Sequence, residues 1–139
     1  MSSDFLLPEN HRRSLSVTAK MIEEGLDDVE LKLKGNCNHK ITQIIEPSYD
    51  IETKEKIYEI LKDIKTLNTE MFNELSLTPQ KTYESRILNS QAVYLWSILI
   101  DSSSKKLERY GKLNQQESQK IDFYIFKILK LLEKLKEFN

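Results

Sequence analysis

Arginine, histidine, cysteine and carboxylate side chains are the places where this chain could do chemistry, and they fall into few groupings. His11-Arg12-Arg13 stands near the start of the first amphipathic segment. Cations there oppose the helix macrodipole, whose N-terminal end favours acids. A local inconsistency of that kind tends to mark residues that bind something or are paired elsewhere in the fold. A helix N-terminus bearing two guanidiniums and an imidazole suits an anion, whether phosphate or a partner's carboxylate. His11, Arg12 and Arg13 are therefore the candidate anion site, weighed against salt bridging to the acidic side of another helix in the same chain.

The other groupings are weaker. Cys37 and His39 offer two zinc ligands, but no second Cys/His pair completes a tetrahedral site. Neighbours one residue apart also lack the third group that would orient a base for a thiolate nucleophile. A di-metal carboxylate bundle needs Glu-x-x-His on two helices, and here Pro8 and Asn36 stand three residues before the only histidines. Glu23, Glu24, Asp27, Asp28 and Glu30 read as a solvated acidic face. Gly25, Gly35 and Gly111 are too scattered for a phosphate loop. Lys105, Lys106, Arg109 and Lys112 around Tyr110 complement the C-terminal end of a helix dipole, so no nucleic-acid stripe is expected. No metal, cofactor or catalytic residue is expected. A histidine-phosphotransfer domain resembles this chain in architecture only. That family sets its histidine in mid-helix, followed by lysine and, a few residues on, glycine. His11 sits at a helix start and is followed by two arginines.

A chain of 139 residues suits one domain spanning 1–139. The chain is 39% hydrophobic and 31% charged with 3 glycines and 3 prolines, which suits helices with one wet face each. A net charge of −1 gives no bulk attraction to nucleic acid or anionic lipid. A lone cysteine fits a reducing compartment. Phe5-Leu6-Leu7 falls short of a signal peptide, and Ala92–Ile100 falls short of the roughly 20 residues that span a bilayer. A soluble cytoplasmic protein with no membrane association is expected.

Hydrophobic spacing predicts four helices, at about 8–34, 50–77, 79–110 and 115–138. Leu15, Ala19, Ile22, Leu26, Val29 and Leu33 make a heptad-type seam in the first. Gly25 inside it is either a tolerated defect or a point of close helix approach. The stretch 36–49 reads as a long irregular loop whose Ile41, Ile44 and Ile45 should fold back on the bundle. Ser48 or Asp50 caps the second helix. Its seam runs through Ile57, Leu61, Ile64, Met71 and Leu75, with Asn68 as a register-setting polar residue. Thr78-Pro79 reads as the start of the third helix. Ser102-Ser103-Ser104 should weaken it. Asn114 with Glu117 resembles a capping box.

The fold expected is all-α: a four-helix bundle in up-down-up-down antiparallel order, with the long first loop also permitting a crossover. The third helix carries seams at Leu88, Ala92, Leu95, Leu99 and at Ile87, Gln91, Tyr94, Ile98. The fourth carries Ile121, Ile125, Ile128, Leu132, Leu135 and Tyr124, Ile128, Leu131, Leu135, Phe138. Val93, Trp96, Ile100, Phe123 and Phe126 exceed what those seams use. Surplus apolar surface of this sort marks protein–protein contact. The expected function is thus non-enzymatic: an interaction or regulatory protein, self-associating as a homodimer through its last two helices or meeting another helical protein.

Overall fold

In a computed structural model of the chain, residues 6–35 and 41–138 are described, and they are all-α, with no strand among them. The helices are α1 (Glu9–Leu33), α2 (Ile51–Glu74), α3 (Glu84–Asp101), the short α4 (Ser104–Leu107) and α5 (Gln115–Leu135), with 3-10 turns at Glu108–Tyr110 and Lys136–Phe138. Cys37 and His39 lie outside the described residues. No helix of the described residues is long and apolar enough to cross a membrane. The chain divides into two units, residues 1–80 and 81–139. Each holds an antiparallel pair of long helices, the element from which an up-down bundle is built.

In the first unit, Pro8 precedes α1, where its missing N–H costs nothing. Asp50 caps α2 by accepting from the Thr53 amide at 2.7 Å. The antiparallel order is fixed by three cross-helix contacts. Lys54 Nζ donates to Leu33 O at 2.9 Å, Lys65 Nζ meets Asp27 at 2.9 Å, and Asn68 Nδ2 donates to Ala19 O at 3.0 Å. Ala19 is buried, and Leu15, Ile22, Leu26, Ile57, Leu61 and Phe72 are half-buried along the contact. Asn68 thus sits on the seam as its spacing suggests, although its Oδ1 is buried and accepts nothing from the described residues.

Two expectations about connections are corrected. Ile41 and Ile44 do not fold back; both are exposed, and only Ile45 is half-buried. The third helix does not begin at Pro79. Residues 77–83 are non-helical, and α3 starts at Glu84 after Tyr83. The reason lies at the end of α2. Ser76 takes a left-handed φ of 53°, and the Leu77 and Ser76 amides donate back to Phe72 O and Asn73 O at 2.9 and 3.2 Å. This Schellman-type closure buries Leu77 beside the last turn. Thr78 N then donates to the buried Ser16 Oγ at 3.3 Å, which ties the Thr-Pro pair to α1.

In the second unit, Ala92, Leu129 and Leu132 form the buried cluster, with Trp96, Leu99, Ile125 and Leu135 packed against it. Leu129 takes the place expected of Ile128, which is exposed. Spacings of four then three (125, 129, 132) and three then four (125, 128, 132) both suit a helix, and packing against α3 selects the first. The serine run breaks the helix at Ser102–Ser103, ending α3 at Asp101 in place of 110. Asn114 and Glu117 close a complete capping box at the start of α5.

The burial pattern separates neighbours in sequence. Leu132→Ala, at a position 7% exposed, should lower unfolding free energy by about 2–4 kcal/mol. Leu131→Ala, at 60% exposed, should lie within about 0.5 kcal/mol of wild type. Equal losses in denaturant titrations would show that the helix faces are misassigned. Gly25 has nothing within 4 Å of where a Cβ would stand, so the tolerated-defect reading holds over close approach. Gly25→Ala should therefore raise stability by about 0.5–1 kcal/mol, and a loss in the same titration would mean that something does pack there.

Candidate interaction surface

The surplus apolar residues of α3 and α5 do not form one patch. Trp96 is half-buried against the Ala92–Leu129–Leu132 cluster, and Lys136 Nζ stands 4.8 Å from its ring centroid. It belongs to the rim of the pair's own core, capped by a cation–π contact. Val93, Ile100 and Phe126 are exposed. At 100° per residue they project from the same flank of the pair as the Trp96–Lys136 contact. Phe123 faces outward, with Lys127 Nζ 4.5 Å above its ring and Tyr124 edge-on at 5.2 Å.

The opposite flank holds the residues that sequence reasoning assigned to interior seams. Ile87, Tyr94 and Ile98 on α3 and Tyr124, Ile128 and Leu131 on α5 are all between 43% and 60% exposed. The periodicity that revealed them shows that they share faces. It does not show which of two adjacent stripes a single neighbouring helix covers.

At the start of α1, Arg12 Nε donates to Leu7 O at 3.1 Å and Arg13 pairs with Glu9 at 3.0 Å, while His11 is exposed. The partner of Arg13 is thus on its own helix, not on the acidic side of another helix as expected. The acidic face of α1 is likewise matched by lysines. Glu24 meets Lys20 at 3.3 Å, Asp28 meets Lys32 at 3.0 Å and Glu30 meets Lys34 at 2.8 Å. Hydrogen bonding to Lys34, then its charge and that of Lys65, lower the Glu30 pKa; Asp27 first, then Glu30, raise that of Lys65. These side chains are 34–63% exposed, so screening leaves each pair little weight in stability.

A cleft of about 460 Å³ between α1 and α2 is lined by Ser16, Ala19, Glu23, Asn68, Phe72 and Pro79, among others. No grouping of three or more His, Cys, Asp or Glu suited to a metal occurs among the described residues. Comparisons with protein-family models, curated proteins and solved structures find no match to this chain.

One polar contact fixes the helix break beside the α3–α5 surface. Asp122 accepts from the Ser104 amide at 2.9 Å and from its hydroxyl at 2.6 Å. That hydroxyl, then the amide, hold the carboxyl below the ordinary aspartate range. A carboxyl lowered in the folded state stabilises above its unfolded pKa of about 3.9 and loses that contribution as pH falls through the folded value. Asp122→Asn should accordingly be less stable than wild type at pH 7, with the gap closing below about pH 4. Denaturation at both pH values checks this. A gap independent of pH would remove Asp122 from the linkage.

Proposed function

We propose that this is a non-enzymatic interaction or regulatory protein of the cytoplasm, acting as a homodimer joined through α3 and α5. The observation that carries the reading is the exposure of large apolar side chains on both flanks of that pair, with Phe126 at 64% and Tyr94 at 60%. A helix in a stable soluble assembly needs one apolar stripe, and contiguous apolar surface beyond that stripe marks association sites. Aromatic enrichment supports the same conclusion. The anion-binding alternative at His11, Arg12 and Arg13 has less support, since Arg12 Nε and Arg13 hold acceptors close by in sequence, and histidine phosphotransfer has only a shared architecture behind it.

Light scattering should give a mass twice the 16.4 kDa of the chain, and the melting temperature should rise with protein concentration, as linked association requires. A particle of single-chain mass at high micromolar concentration, with a melting temperature independent of concentration, overturns the proposal.

A further inference from the structure

We propose that α5 lies on the surface of an anionic lipid bilayer through the face that it turns away from α3. Lys120, Lys127, Lys130 and Lys134 meet the lipid phosphates there, and Phe123 and Phe126 enter the layer beside them. The reading does not depend on self-association, because this face stands opposite the seam.

The net charge of −1 conceals an uneven division. Residues 1–80 carry 10 lysines and arginines against 15 acids, whereas residues 81–139 carry 11 against 7, a net charge of +4. Ion pairing follows the opposite division. Every ion pair among the described residues lies in the first unit, and the cations of the second have none. Four of those cations stand together. At 100° per residue, Lys127 and Lys134 lie opposite the buried Leu129 and Leu132, and with Lys120 and Lys130 they fall within an arc of about 80°. All four are exposed. Like charges three and four residues apart, as at 127, 130 and 134, work against a helix. No acid relieves them. Glu117 closes the capping box, Asp122 holds Ser104, and Glu133 borders the arc without pairing. A local inconsistency with no internal partner points to an external one.

The mixture of side chains selects an anionic bilayer. Phe123, within the arc, is 51% exposed, and Phe126 at its edge is also exposed. Clusters of four or more lysines on an amphipathic helix are drawn to anionic headgroups. Phenylalanine among them gains from the headgroup–acyl boundary, where rings leave water while ammonium groups stay in it. A nucleic-acid duplex would use the charge but not the rings, and its base edges are read by arginine, asparagine and glutamine. No arginine stands on α5. The first unit offers no rival surface. Its exposed Ile60, Ile64 and Leu67 run beside Asp63, Glu70 and Glu74, which outnumber Lys56 and repel an anionic layer.

Each lysine brought to an anionic surface strengthens binding roughly fivefold. Co-sedimentation of the full chain with vesicles of phosphatidylserine and phosphatidylcholine in equal parts tests the proposal, with circular dichroism to confirm helicity. Binding should be absent with phosphatidylcholine alone and should weaken as salt is raised. Lys127→Gln with Lys134→Gln should weaken it by about tenfold or more, and so should Lys120→Gln with Lys130→Gln, which serves if the first pair unfolds. Lys56→Gln with Lys62→Gln on α2 removes the same charge and should leave binding within about twofold of wild type. Phe123→Ala with Phe126→Ala should cost about threefold or more. No binding to the mixed vesicles, equal binding to both kinds, or an equal loss from the α2 changes overturns the proposal. Unchanged binding after the phenylalanine changes overturns the entry of the rings. Retention of a DNA duplex without vesicle binding assigns the lysines to nucleic acid and equally overturns it.

Discussion

Two helices in contact can bury only the strip along which they touch, and this constraint governs both units. In the second unit, the strip is Ala92 against Leu129 and Leu132, with Trp96, Leu99, Ile125 and Leu135 closing around it. Residues one position away on the wheel lie some 100° from it and stay in water. Leu132 and Leu131 therefore differ completely in burial although chemically identical. Among the described residues no large side chain is completely buried, so each pair is held by a seam and not by an enclosed core.

Both pairs leave large apolar side chains exposed, Ile60 and Leu67 on α2 and Tyr94 and Leu131 on α3 and α5, but they differ in charge. Between α1 and α2, one flank is charged. Lys65 bridges to Asp27 and Glu30, and the lysines of α1 answer its own acids. Such contacts contribute little individually, but they make the flank content to remain in water. The α3–α5 pair has few equivalents. Asp122 to Ser104 and Lys136 over Trp96 serve the seam or its end, and Lys127 over Phe123 lies on the outer side. What remains beside that seam is tyrosine, isoleucine, leucine and phenylalanine, of which Phe123 lies under the Lys127 ammonium. Exposed apolar residues scattered singly need no explanation; rows of them spaced at one helical turn do.

Caps, pairing partners and seam membership were legible in the sequence where a residue's local chemistry allows one answer. Asp50, Asn114 with Glu117 and the serine break follow from hydrogen-bonding rules that operate within a few residues, and Asn68 from its place in the apolar repeat. The failures share another cause. Thr78-Pro79 carries the local signature of a helix start, yet the Thr78 amide is bound to Ser16, sixty-two positions earlier in the chain, and no local rule contains that contact. Leu129 against Ile128, and Ile41 and Ile44 against a bundle surface, are likewise decided by which neighbour is present. Of the anion site, sequence position showed that the arginines needed partners; only side-chain geometry shows that Leu7 O and Glu9 supply them.

A unit of about sixty residues buries only some 60% of the surface that its unfolded chain exposes, which leaves small helical modules marginal. The α3–α5 pair falls at this size, with three buried side chains at its centre. Extending the seam with larger residues would have strengthened the pair by itself. The apolar content lies instead in a second row on each helix, where the pair alone gains nothing from it. Burial contributes on the order of 25 cal/mol per Å² only when water is removed. The stabilising potential of Tyr94, Ile98, Ile128 and Leu131 is therefore conditional on a further surface. Such conditionality couples folding to association, so that the same residues that leave one chain weakly held are those by which a pair of chains would become firm.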